Sequence, residues 1–100
     1  MGAVFFTHAG LNPDGKHIAE VFDDCVSDAA YDYGHAGYTG TIAEKSGFIL
    51  VDEVAETWEE AEDMADTLTE EKGYGEDKWG PAAALHVRDQ GWLFFGYAST

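Results

Sequence analysis

Between Asp52 and Glu71 the chain carries ten carboxylates and no basic residue. Charge at that density has to stay in water, so the segment can turn only one narrow stripe inward. Trp58, Ala61, Met64, Ala65 and Leu68 recur at three- and four-residue steps and supply that stripe, which predicts an amphipathic helix. Thr57 and Glu60 have the spacing of a capping box, in which each side chain satisfies a backbone donor at the helix start. Lys72 and Gly73 follow as a cation at the negative end and a left-handed cap.

The remaining elements are read in the same way. Ala3 to His8 (AVFFTH) is a short apolar run, read as a strand buried on both faces. Asn12-Pro13-Asp14-Gly15 supplies turn chemistry, with Asn12 or Asp14 as the cap of a first helix. From Lys16 to Tyr33 the stripe is Ile18, Phe22, Cys25, Val26, Ala29 and Tyr33, and Gly34 is placed to cap its end. A glycine-rich loop runs from Gly34 to Gly40. Thr39 to Ala43 and Gly47 to Val51 then read as strands joined at Lys45-Ser46-Gly47, a single bent strand being the alternative. After the polar loop Gly73 to Pro81, Ala82 to Arg88 and Trp92 to Ala98 read as a hairpin across Asp89-Gln90-Gly91. The order β-α-β-β-α-β-β predicts one α+β domain, a two-layer sandwich with an antiparallel or mixed sheet and two helices on one face. Its core should hold Trp58, Met64, Leu68, Ile18, Phe22 and Cys25 against Phe5, Leu50, Val87 and Phe94.

Over the whole chain twenty Asp and Glu face five Lys and Arg, a formal charge of −15. Such a surface repels nucleic acid and anionic membrane and attracts a basic protein surface. It is equally the composition of a domain adapted to a salt-rich cytoplasm. An apolar fraction of 45 % is too high for a disordered chain, so the protein folds. Cys25 is the single cysteine, which leaves no internal disulfide and fits a reducing compartment. No apolar run approaches the length of a membrane span, and the start lacks the basic flank of a signal peptide, so the expectation is a cytoplasmic protein.

Two helix faces are the candidate partner-binding surface: Glu20, Asp24, Asp28 and Tyr31 on the first, Glu59, Glu62, Asp63, Asp66 and Glu70 on the second. Glu59/Asp63, Glu62/Asp66 and Asp66/Glu70 are like-charge pairs four residues apart, each costing about 0.2–0.5 kcal/mol of helix stability. Tyr31 lies about 180° from the apolar stripe, on the acidic side. A second candidate is a small-ligand site built from His8, His35, Tyr38, Thr41 and His86 at one end of the sheet. The histidines show no metal-ligand spacing and no calcium-loop pattern appears, so neither metal nor cofactor is expected. Cys25 falls in the core stripe, the serines lack a nucleophile context, and no enzyme constellation emerges. Trp79, beside Lys78, reads as a cap over the open end of the core.

At YGHAGYTGTIAEK (Tyr33 to Lys45) and DKWGPA (Asp77 to Ala82) the chain resembles small uncharacterised proteins of bacteriophage and prophage genomes. The resemblance covers about half the chain and rests on glycines and aromatics. It implies a context, since small acidic phage proteins are often inhibitors of host or defence machinery, DNA mimics among them. The expected function is a non-enzymatic acidic inhibitor or binding protein that presents its helix faces to a basic surface, as on a nucleic-acid-binding protein. The alternatives are the salt-adapted structural domain and the small-ligand site.

Overall fold

The computed structural model describes residues 2–33 and 40–99. Strand β1 (Ala3–Leu11) leads to helix α1 (Ile18–Tyr33), a 3-10 turn (Ile42–Glu44), β2 (Phe48–Ala55), α2 (Trp58–Lys72), β3 (Ala82–Val87) and β4 (Gly91–Ser99). The fold is α+β, with one mixed sheet in the order β1-β4-β3-β2. β4 runs antiparallel to β1 and β3, and β2 runs parallel to β3.

The helices do not share a face. Along β3, Ala82 and Ala84 pack with Phe22, Cys25 and Ala29 of α1, whereas Ala83, Leu85 and Val87 pack with Ala61, Ala65 and Leu68 of α2. Alternate residues of a strand point to opposite sides, so the sheet is sandwiched between the helices and the molecule has three layers. Strand order sets this arrangement. β1, β2 and β3 point the same way, and the chain crosses from the β1 edge to the β2 edge before stepping back to β3. Right-handed crossovers made in opposite directions across a sheet place their helices on opposite faces.

A sheet covered on both sides needs strands that are apolar at every position. β3 and β4 are such strands, from Ala82 to Leu85 and from Leu93 to Phe95, all buried. β1 is instead an edge: Phe6 is buried and Phe5 half-buried, but Val4 and Leu11 are exposed. Leu50 also leaves the expected core, at 59 % exposure, because β2 is the opposite edge. Leu68 is buried as expected, and Leu68→Ala should cost about 2–5 kcal/mol through the cavity it leaves. Denaturant titration would measure this, and a loss under about half a kcal/mol would contradict the packing of α2.

Local chemistry sets the element ends. Glu60 N–H donates to Thr57 Oγ1 at 3.1 Å, and the Glu60 carboxylate accepts from Glu56 N–H at 3.1 Å, one residue before the expected partner. Gly73 closes α2 in the left-handed region at φ 74°. At α1 the cap is neither Asn12 nor Asp14: Ala19 N–H donates to His17 Nδ1 at 3.1 Å, while Asn12 brackets the turn through Lys16 N–H and C=O. The hairpin expected around Lys45 is replaced by the 3-10 turn, capped by Thr41 Oγ1 accepting from Ala43 N–H. The expected glycine cap at Gly34 lies outside the described residues.

Candidate functional site

Three-residue and four-residue steps bring Glu59, Asp63, Asp66 and Glu70 onto the side of α2 opposite its buried Ala61, Ala65 and Leu68. The stripe is about 16 Å long at the rise of an α-helix. All four carboxylates are exposed. Glu62 turns toward β1 instead, where its carboxylate accepts a hydrogen bond from Thr7 Oγ1 at 2.9 Å. On α1 the outward residues are Glu20, Asp24 and Tyr31, the last 88 % exposed as its helical angle requires. Asp28 is exposed beside a groove between α1 and β1. The two acidic stripes therefore lie on opposite sides of the molecule.

The cations are already engaged. Lys16 pairs with Asp24 at 3.2 Å, Arg88 with Glu56 at 2.8 Å and Lys72 with Glu53 at 3.9 Å, all at the surface. None of these three pairs involves the four-carboxylate stripe of α2. Lys78 lies 5.4 Å from the centre of the Trp79 ring. Trp79 is 65 % exposed, so it does not cap the core as expected. Lys45 was missed as a structural residue. It is 3 % exposed, and its ammonium donates to the carbonyls of Asp77, Lys78 and Gly80 at 3.2, 3.3 and 2.9 Å. Burial pulls its pKa below the usual amine value, and Asp77 pulls it back up.

The proposed small-ligand set does not converge among the described residues. His8 and His86 share the α1 face, since His8 lies opposite Phe94 and His86 opposite Trp92, but they line separate grooves. Thr41 is occupied as the cap of the 3-10 turn, next to Gly40, whose N–H reaches Ser99 C=O at the far end of β4. His35 and Tyr38 lie outside the described residues. His86 stacks on Trp92 with ring centres 4.8 Å apart, a packing role. Burial lowers the His8 pKa, with Asp28 and Asp32 opposing. Cys25 is buried, and its thiol is pushed up to about 11 by that burial and by Asp28 and Asp24, so it is no thiolate nucleophile at neutral pH. Among the described residues no cluster of three His, Cys, Asp or Glu could hold a metal ion.

Sequence reasoning also missed the β2 edge. Ile49, Leu50 and Val54 are exposed there. Between Glu53 of the same strand and α2 lies a groove of about 350 Å³ with Met64 and Leu68 in its lining and Glu53, Asp63 and Glu71 as its acids. Gly47 to Val51 reads as an ordinary apolar strand, and only strand order makes β2 an edge.

Fold and site together define a three-layer α+β protein with a mixed sheet, two opposed acidic helices and an acidic, partly apolar sheet edge. No family model, curated protein or solved structure matched the chain. No described helix is long and apolar enough to cross a membrane.

Proposed function

We propose that the chain is a non-enzymatic cytoplasmic binding protein whose α2 carboxylate stripe engages a basic surface on another protein. The observation that carries this reading is the stripe of Glu59, Asp63, Asp66 and Glu70. It is exposed, all of one sign, and outside the three surface ion pairs. The like-charge pairs within α2 work against the helix, and a compensating use in recognition accounts for them. A row of carboxylates complements the surface of a nucleic-acid-binding protein, so a nucleic-acid mimic is the specific form proposed. One partner surface meets one stripe, because α1 and α2 lie on opposite faces. The resemblance to small acidic phage proteins adds inhibition of host machinery as the setting.

A second reading has its own support. Carboxylates also cover α1 and the β2 edge, and acid on several sides is the pattern of a salt-adapted surface. One variant separates the two. With Glu59→Gln, Asp63→Asn, Asp66→Asn and Glu70→Gln together, the thermal midpoint should stay or rise slightly as like-charge repulsion is relieved. A partner captured from native lysate at about 0.1 M salt should associate about tenfold more slowly with this variant, and salt near 1 M should erase the difference. Equal association rates at low salt would refute the recognition reading. A parent protein that folds only in molar salt would favour salt adaptation.

A further inference from the structure

Resting on that reading of the acidic surface, we infer that the open edge of β2 is a strand-addition site for a short extended segment of a basic partner. The segment would be basic on the side facing α2 and apolar on the side facing α1. β2 ends the sheet, and among the described residues only β3 pairs with it. An edge strand presents unpaired backbone donors and acceptors, and extended peptides dock on such edges by main-chain hydrogen bonds, with specificity read on alternate sides.

The two sides of this edge differ. Leu50 and Val54 lie opposite Ala84 and His86, on the side of α1, and are 59 % and 43 % exposed. They would meet the apolar side chains of an added strand. On the α2 side the groove offers Met64 and Leu68 to the stem of a lysine or arginine, with Glu53, Asp63 and Glu71 for its head. Glu53 already holds Lys72, but at 3.9 Å and in water, a pairing that an incoming cation can exchange.

Charge chooses the occupant. A second copy would bring Asp52, Glu53 and Glu56 against an equally acidic edge, and nucleic acid would be repelled outright. The pairing irregularity between Leu50 and Val54 also breaks the strand into short regular stretches. Such an irregularity discourages edge-to-edge sheet growth and suits a short segment.

The probe is an alternating lysine–valine peptide of eight residues, the length of β2. At about 0.1 M salt it should bind and slow amide exchange along β2. A peptide of the same composition arranged as two blocks should bind at least about tenfold more weakly and leave β2 exchange unchanged. Leu50→Lys with Val54→Lys places lysines on an exposed edge, where natural edges carry them, and should weaken the alternating peptide about tenfold without lowering the thermal midpoint. Unchanged β2 exchange, or equal binding of the two peptides, would overturn the inference. The two readings fail separately. Lysate capture that depends on the α2 stripe, with β2 unprotected by the peptide, removes only the edge. Protected β2 with stripe-independent capture removes only the reading of the stripe.

Discussion

Replacing Gly91 with alanine is expected to lower the thermal midpoint by about 15–30 °C, corresponding to roughly 3–5 kcal/mol in a domain of this size. Gly91 opens β4, opposite Leu11 of β1 and Val87 of β3. Its φ of 150° is one that side chains rarely adopt, and a Cβ there would strike the carbonyl oxygen of Gly10 and lie 3.1 Å from Asn12 N. Both obstacles are backbone, and Asn12 N–H is held by Gln90 C=O at 3.0 Å, so neither can swing aside. Gly10 cannot retreat into the core, because α1 presses on it: a Cβ on Gly10 would come 2.6 Å from Val21. Gly15→Ala provides the control. Its φ of 68° carries the left-handed cost of about 1–2 kcal/mol, but nothing lies within 4 Å. Equal losses in the two variants would show that the close approach of β1 and β4 is not what requires Gly91.

That approach was only partly legible. Asp89-Gln90-Gly91 announces a hairpin, and Gln90 N–H does return to Val87 C=O at 3.0 Å. Nothing local says that β1 will press on the same glycine. The contrast runs through the molecule. α2 was readable nearly to the residue because Thr57, Glu60 and Gly73 act on backbone within a few positions of themselves. The outward angle of Tyr31 and of the α2 acids follows from helical geometry alone. The layer count depends on strand order, which periodicity does not carry. The unbroken runs AAAL and LFF were the available sign of strands covered on both faces, but AVFF and FILV look the same and lie on edges. Hence the acidic stripes could be named from sequence, whereas their opposition, and the exposure of Leu50 and Val54, could not.

Lys45 shows the same limit from the polar side, and Lys45→Met should cost roughly 2–4 kcal/mol. Read locally, Lys45-Ser46-Gly47 is a turn, and a lysine in a turn belongs in water. Its partners stand more than thirty residues away, in the loop after α2, where the carbonyls of Asp77, Lys78 and Gly80 converge on one ammonium. Three donors meet three acceptors, which is how a buried lysine is tolerated. Methionine keeps much of the stem but takes the ammonium from the Lys78 and Gly80 carbonyls and leaves Asp77 C=O with the Gly80 N–H. The loop then either leaves the first two unpaired or opens to water and gives up its turn, in which Gly80 N–H bonds Asp77 C=O at 2.9 Å. Opening is the cheaper course, so faster exchange of the Gly80 amide should accompany the lower midpoint. Arginine should rescue little, because a planar fork does not match a cluster of carbonyls gathered around one nitrogen. Lys16→Met, which removes an exposed ion pair, should leave the midpoint unchanged. A Lys45→Met protein with the parent's midpoint and an equally protected Gly80 would mean that the loop holds its shape without the ammonium. The segments around Lys45 and Asp77 would then be held together without it, with Ala82 N–H on Gly47 C=O at 3.0 Å among the remaining links.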